Sequence, residues 1–240
     1  MKAMVLAAGL GTRLRPLTDD RPKALVTVGG RTLLEIVLER LRGFGVREVI
    51  VNVHHHAEMI CAYLKESGNF GMRVEVSREE ELLETGGGIK KAAWFFLERG
   101  SDEPFLVHNV DVLSAIDLAG MVRFHRECGA LATLAVQKRE TARPLAFDGD
   151  GQLRGRATAH TQDGGGTALA FAGIHAISPR IFAQLSEEGA FSIVDAYVRL
   201  AAQGERIMGF RADSAYWRDL GRVEDLRRAE EELGGGARVG

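Results

Sequence analysis

Short apolar segments alternate with amphipathic patterns through the first half of the chain. The apolar segments predict buried strands at Met4–Ala8, Val49–Val53, Val74–Val76 and Phe105–His108. The segments between them predict helices at Leu33–Phe44, His56–Lys65 and Ile89–Leu97. Because strands joined through helices run parallel, this alternation predicts an α/β fold with a doubly wound, mostly parallel sheet. Ligands of such a sheet bind at the carboxyl ends of its strands.

The second half of the chain is less regular. Its patterns predict helices at Leu118–Cys128, Pro179–Gln184, Ile193–Ala202 and Val223–Leu233, and strands at Leu131–Val136 and Leu169–Ile177. Glycine and polar residues between 137 and 166 predict hairpins and loops, not a linker. We therefore expect a single domain over residues 1–240, with 137–178 as a small lobe and 222–240 as a terminal helix and tail.

Composition narrows the range of partners. The chain has 240 residues, 45% of them hydrophobic, and a formal net charge of -2, which predicts a compact domain without general attraction to nucleic acid. No apolar run approaches the length of a membrane span, and no signal peptide follows Met1. The two cysteines, Cys61 and Cys128, are expected to be free thiols. These features predict a cytoplasmic location, no membrane or nucleic-acid partner, and either a monomer or a homodimer.

The loop Gly9–Lys23 carries the most specific chemistry, directly after the first predicted strand. Its glycines allow backbone N–H groups to approach a phosphate closely. Its four cations are Arg13, Arg15, Arg21 and Lys23. The P-loop pattern is excluded because no Gly-Lys-Ser/Thr follows, and the dinucleotide fingerprint is excluded because Leu14 replaces its third glycine. The loop therefore predicts a site for a nucleoside triphosphate.

Two aspartates are candidates for binding a divalent cation. Asp111 lies just beyond the predicted strand that ends at His108, and Asp219 lies in a short aromatic segment that ends at Gly221. A bound triphosphate requires a divalent cation to neutralise its phosphates, and Mg²⁺ is usually held by one or two carboxylates together with water and phosphate oxygens. We expect Asp111 and Asp219 to hold Mg²⁺.

These segments together resemble the sugar-1-phosphate nucleotidyltransferases, also called nucleotide-sugar pyrophosphorylases. The loop matches G-x-G-T-R-x-x-P-x-T-x-x-x-P-K, and Trp217–Gly221 matches Trp-x-Asp-x-Gly. The family's Asn-Gly-Asp occurs here as Asn109–Asp111 with Val110 in place of glycine. The resemblance extends over nearly the whole chain. It implies a Rossmann-like, glycosyltransferase-A-like sheet with a small β-rich sugar-binding insert.

The resemblance also implies roles for individual residues. The reaction is an in-line attack by a sugar 1-phosphate oxygen on the α-phosphorus of the triphosphate, with catalytic roles for Arg13, Lys23 and Asp111. Arg13 would steady the departing pyrophosphate, and Lys23 would bridge the two reacting phosphates. The expected nucleotide contacts are Leu6, Ala7, Ala8, Gly9, Gly11, Thr12, Arg13, Glu84, Gly86, Gly87 and Asn109. The expected sugar contacts are His108, Asn109, Gly173 and Asp219.

The segment Glu84–Gly88 bears on the nucleobase. Three consecutive glycines at a helix start leave room for a flat ring against the backbone. The string Leu-Glu-Thr-Gly-Gly-Gly is the form found in the compact N-acetylmuramate-1-phosphate uridylyltransferases, so the resemblance favours UTP. One departure is Leu82, where proline is common.

Three alternatives remain open at the level of sequence. The first is guanylyl or cytidylyl transfer to a mannose- or heptose-type phosphate. The second is a metal-dependent glycosyltransferase, for which Asn109–Asp111 supplies only half of an Asp-x-Asp motif. The third is a non-catalytic nucleotide-sugar binder, which would not need Arg13, Lys23 and both aspartates.

Overall fold

The computed structural model describes residues 1–100, 102–158, 161 and 166–235. Its strands are β1 Lys2–Leu6, β2 Thr27–Val28, β3 Arg31–Thr32, β4 Glu48–Val53, β5 Arg73–Arg78, β6 Phe105–Asn109, β7 Val112–Ser114, β8 Ala132–Gln137, β9 Leu145–Phe147, β10 Leu153–Arg156, β11 Thr167–Ile177, β12 Ile207–Arg211 and β13 Trp217–Asp219. Its α-helices are α1 Leu33–Gly43, α2 Ala57–Glu66, α3 Glu84–Lys91, α4 Ala93–Leu97, α5 Leu118–Glu127, α6 Ile193–Ala202 and α7 Val223–Gly234. The predicted loop at 162–165 and tail at 236–240 lie outside the described residues.

The central sheet has a parallel half and an antiparallel half. Strands β6, β1, β4 and β5 run parallel in that order, with Val5 opposite Val51 on one side and His108 on the other. Strand β11 then pairs antiparallel with both β6 and β8, and β12 pairs parallel with β8 at the edge. The hairpin β9–β10 continues from the first residues of β11. The predicted α/β architecture with a mostly parallel sheet is confirmed, and the sheet is mixed because β11 runs antiparallel to its neighbours.

Helices cover both faces of this sheet because its strands are apolar on both sides. Ala3 and Val5 of β1 belong to a core under α1, α2, α5 and α7, whereas Met4 and Leu6 belong to a second core under α3, α4 and α6. This period of two is the alternation that a strand imposes on successive side chains. The sheet is therefore doubly wound, as predicted.

Most predicted elements are present with their ends shifted by one or two residues. The predicted helix Pro179–Gln184 is the short 3₁₀ helix Pro179–Ala183. One helix begins five residues earlier than predicted. The predicted helix Ile89–Leu97 begins instead at Glu84 and is divided at Ala92 into α3 and α4. Three consecutive glycines disfavour a helix by intrinsic propensity. Tertiary packing, described below, overrides that preference. The short strands β2, β3, β7 and β12 were not predicted.

The length and hydropathy of the helices were compared with those of a membrane span. Among the described residues, none of the helices is both long enough and apolar enough to span a bilayer.

Candidate active site

The phosphate-binding candidate Gly9–Lys23 leaves β1 at the carboxyl edge of the sheet. Ala7 N donates to Asn52 Oδ1 at 2.7 Å, and Thr18 Oγ1 donates to Gly11 O at 2.9 Å, so the loop is fixed at its start and folded back on itself. Gly9 is exposed and a Cβ there would meet nothing within 4 Å. The start of this loop is therefore open to a ligand.

Lys23 and Asp111 form an ion pair at the edge of this loop. Lys23 is only 8% exposed although lysine is rarely buried, which indicates that the fold holds its ammonium at a defined place. Asp111 follows β6, and Val110 N donates to Leu6 O at 3.1 Å, so β1 and β6 deliver the two loops side by side.

Asp219 reaches the same place from the other end of the chain. Strand β13 pairs antiparallel with β7, which puts Asp219 opposite Val112, and Leu220 N donates to Asp111 O at 2.7 Å. Burial raises the pKa of Asp219, and the charge of Asp111 adds to this effect. The nearby cations Lys23 and Arg13 act in the opposite direction.

Arg13 completes this group. Gly221 N donates to Asp219 Oδ1 at 2.6 Å, and a Cβ on Gly221 would lie 2.6 Å from Arg13 Nη2. Only glycine leaves room for both side chains at this point. Arg13, Lys23, Asp111 and Asp219 are thus brought together as the sequence predicted.

The donor set fits a hard divalent cation. In the described part of the chain no group of three or more His, Cys, Asp or Glu side chains is placed to hold a metal. The carboxylates of Asp111 and Asp219 lie close together. Burial and the charge of Asp111 both destabilise the charged form of Asp219. A cation with few protein ligands, such as Mg²⁺, matches this pair.

Two clefts meet at this group. The smaller cleft, of about 360 Å³, is lined by Leu6, Ala8, Gly9, Lys23, Asn52, Leu82, Glu84, Thr85, Asn109, Val110, Asp111, Arg143 and Ser192. The larger cleft, of about 800 Å³, has Arg13, Asp219, Gly173 and Trp217 among its lining residues. Both clefts share Asn109, Arg143 and Ser192. Gly11 and Thr12 belong to the turn that carries Arg13 and line neither of these two clefts.

The glycines of α3 are not placed as expected. Glu84 and Thr85 line the smaller cleft, but Gly86 and Gly87 are buried and line neither cleft. Gly86 N donates to Phe191 O at 2.8 Å, and a Cβ on Gly86 would lie 2.2 Å from the Phe191 ring. The glycines therefore admit the chain before α6, not a flat ligand. This corrects the predicted nucleotide contacts of Gly86 and Gly87.

His108 is also not at the site. Its ring is fully buried, and Arg40 Nη1 donates to its Nε2 at 3.1 Å. Burial, reinforced by the charge of Arg40, lowers the pKa of His108 to about 3. Successive side chains of a strand point to opposite faces, so Asn109 reaches both clefts while His108 lies in the core. The predicted sugar contact of His108 is therefore replaced by a structural role.

Asn52 and Glu79, in the region of the smaller cleft, were not predicted as site residues from the sequence. Asn52 Nδ2 donates to Glu79 Oε1 at 2.7 Å, and Leu83 N donates to Glu79 Oε2 at 3.0 Å. Together with the Ala7 contact, this chain of hydrogen bonds joins the phosphate loop to the start of α3. The available signal was a polar Asn52 inside an otherwise apolar strand.

Comparison with known proteins agrees with this geometry. The model of the nucleotidyl transferase family matches residues 2–147. The chain belongs to the nucleotidyl transferase family. An N-acetylmuramate alpha-1-phosphate uridylyltransferase of Caulobacter vibrioides is 37% identical over 96% of both chains. The enzyme of that name from Neisseria meningitidis serogroup B is 32% identical, over 98% of this chain and 99% of the relative.

Solved structures of similar fold are also found. The crystal structure of HddC from Yersinia pseudotuberculosis in complex with GMP-PN superposes with a TM-score of 0.78, covers 97% of this chain and 99% of its own, and is 24% identical. At that identity the likeness concerns the fold alone. In this chain the two clefts described above therefore lie on a nucleotidyl transferase fold.

Proposed function

We propose that this nucleotidyl transferase moves a uridylyl group from UTP to N-acetylmuramate 1-phosphate, giving the nucleotide sugar and pyrophosphate. The observation that carries the proposal is the meeting of two clefts at Lys23, Asp111 and Asp219. In this proposal a triphosphate would occupy the smaller cleft and a sugar phosphate the larger, so the reacting phosphates would meet at this group. The full-length similarity to two N-acetylmuramate alpha-1-phosphate uridylyltransferases supports the choice of substrates.

The proposed reaction requires the protein mainly to position the two substrates and to neutralise the charge of their phosphates. The acceptor phosphate is already an anion, so no general base is needed. Lys23, withdrawn from its pairing with Asp111, would neutralise charge on the α-phosphate as the acceptor oxygen attacks. Arg13 beside Gly221 would hold the departing pyrophosphate.

Asp111 and Asp219 would hold Mg²⁺ in this proposal. A bound Mg²⁺ supplies charge neutralisation and orientation of phosphate oxygens. The raised pKa of Asp219 supports this role, because a dication next to the buried carboxylate would favour its charged form.

A nucleoside triphosphate donor and the composition of the chain both favour a cytoplasmic location.

The test is a matrix of triphosphates and sugar 1-phosphates with pyrophosphate release as the readout. We expect the highest rate with UTP and N-acetylmuramate 1-phosphate, loss of activity with excess EDTA, and recovery with Mg²⁺. Activity confined to GTP and mannose 1-phosphate would overturn the substrate proposal, and undiminished activity in EDTA would overturn the metal proposal.

A further inference from the structure

The larger cleft contains an excess of positive charge. Six arginines line it, against the acidic residues Glu140, Asp219 and Asp225. Two of these arginines are satisfied within the protein, since Arg156 pairs with Asp195 and Arg218 with Glu232.

Arg139 differs from the other arginines in how it is held. Its Cζ lies 3.7 Å from the centroid of the Trp217 ring, and its Nη2 donates to Phe171 O at 2.8 Å. Its Nε is buried and, within the described structure, has no hydrogen-bond partner. Burial lowers the pKa of Arg139, while the charge of Asp219 opposes that effect. The guanidinium is therefore stacked and partly buried, yet it is not paired with a carboxylate of the described chain.

Trp217, on which Arg139 stacks, determines where the guanidinium lies relative to Asp219. Trp217 Nε1 donates to Ala172 O at 2.8 Å, which anchors the indole to β11. Trp217 and Asp219 are alternate residues of β13, so they face the same side and are about 7 Å apart along the strand. A sugar whose phosphate lies beside Asp219 would extend its ring towards Trp217 and Arg139.

We propose that Arg139 binds a carboxylate carried by the sugar, so that the larger cleft selects an acidic sugar 1-phosphate. The inference rests on the proposed function, because N-acetylmuramate differs from N-acetylglucosamine by a lactyl ether that ends in a carboxylate. A planar guanidinium with free donors matches a carboxylate, and stacking on an indole holds it ready for that contact. Arg139 is thus a specificity residue and takes no part in phosphoryl transfer.

The test compares two acceptors that differ only in this group. With UTP as donor, kcat/KM is measured for N-acetylmuramate 1-phosphate and for N-acetylglucosamine 1-phosphate in wild type and Arg139→Gln. We expect wild type to prefer the carboxylate-bearing acceptor, and the ratio of the two kcat/KM values to fall about tenfold or more in the variant, chiefly through KM. Arg139→Lys, which keeps the charge but loses the planar fork, should give an intermediate ratio.

The control is Arg156→Gln, because Arg156 lines the same cleft but is paired with Asp195. It should leave the ratio of the two acceptors unchanged. Equal losses with both acceptors in Arg139→Gln would overturn the inference, since Arg139 would then act on the shared phosphate or on the fold. Equal use of both acceptors by wild type would also overturn it, while leaving the reaction class intact.

Binding without turnover separates this inference from the proposed function. Calorimetric titration with each acceptor, in the absence of triphosphate, should show tighter binding of N-acetylmuramate 1-phosphate to wild type and a smaller difference in Arg139→Gln. A difference that persists in the variant would contradict the role of Arg139. Failure of wild type to release pyrophosphate with either acceptor would instead contradict the proposed function.

Discussion

The smaller and larger clefts meet at Asn109 but are lined by different kinds of residues. The smaller cleft is bounded by small residues such as Ala8 and Gly9, at the ends of the parallel strands β1, β4 and β6. The larger cleft is lined by long charged side chains around β11 and β13. The parallel topology alone places the first cleft, whereas individual side chains decide what the second accepts. We infer that the smaller cleft defines the reaction and the larger cleft defines the acceptor.

The sharpest test of this division is Lys23→Ala at the junction of the clefts. Lys23 is almost fully buried beside Asp111, so its ammonium is positioned before any substrate arrives. We expect kcat to fall about 10³-fold, equivalent to about 4 kcal/mol, with a much smaller change in KM for the triphosphate. Steady-state kinetics with both substrates varied would measure the two effects separately.

Lys65→Ala, at an exposed position of α2, is the control and should leave both constants unchanged. Circular dichroism of Lys23→Ala must match wild type for the comparison to hold. A variant that folds and turns over at a near-normal rate would show that Lys23 only balances the charge of Asp111. Lys23 would then contribute neither to the chemical step nor to substrate binding.

The parallel half of the fold was predictable from sequence for a physical reason. Its strands are short and apolar, and the rule for strand ends locates Asn109 and Asp111 without knowledge of any long-range contact. The dense motif between Gly9 and Lys23 then identifies the phosphate side. Asp219 was recognised by its aromatic neighbours, although its pairing with β7 was not foreseen.

What could not be predicted depends on contacts between distant segments. The burial of Gly86 follows from Phe191, about a hundred residues later, and no local pattern reports that approach. His108 lies in a strand covered on both faces, so period-two alternation did not reveal which face leads to a ligand. Arg139 gains its significance only from Trp217.

A second prediction concerns the contact that couples the clefts. Phe191 N donates to Leu83 O at 3.2 Å and Ile193 N donates to Thr85 Oγ1 at 3.0 Å, so the chain around Ser192, which lines both clefts, is tied to α3. In Gly86→Ala the new methyl would collide with Phe191. We expect a loss of about 1–3 kcal/mol in the free energy of unfolding and higher KM values for both substrates.

Urea denaturation followed by circular dichroism measures the first effect. Gly43→Ala is the matched control, because Gly43 is also helical and a Cβ there would meet nothing within 4 Å. If Gly86→Ala raised KM for the triphosphate alone, the two clefts would be independent, and the coupling through Ser192 would be wrong.

The last prediction concerns a buried histidine and the pH dependence of stability. His125 on α5 is 2% exposed, and its ring lies 2.9 Å from Thr133 Oγ1 and 3.0 Å from Ser178 Oγ. Ser178 Oγ donates its proton to Ala130 O, so His125 Nε2 must donate to Ser178 and Nδ1 must accept from Thr133. This arrangement satisfies the neutral ring.

Burial lowers the pKa of His125 to about 4, and the charges of Arg180 and Arg126 act in the same direction. Because the folded-state pKa is below the unfolded value of about 6.5, the unfolded chain binds a proton first as pH falls. His125 therefore contributes a loss of stability of about 1.4 kcal/mol per pH unit, beginning below pH 6.5 and ending near its folded-state pKa. Buried His108 and His175, whose pKa values burial lowers to about 3, act with the same sign.

Urea unfolding between pH 7 and pH 5 measures this slope above the range in which most carboxylates titrate. His125→Gln should be less stable at every pH, yet its free energy of unfolding should depend on pH less steeply than that of wild type, by about one proton at pH 5. His125 on α5 and His175 on β11 lie in the antiparallel half of the fold, whereas His108 lies on β6 of the parallel half. An unchanged slope in His125→Gln would mean that His125 is not a source of the acid sensitivity.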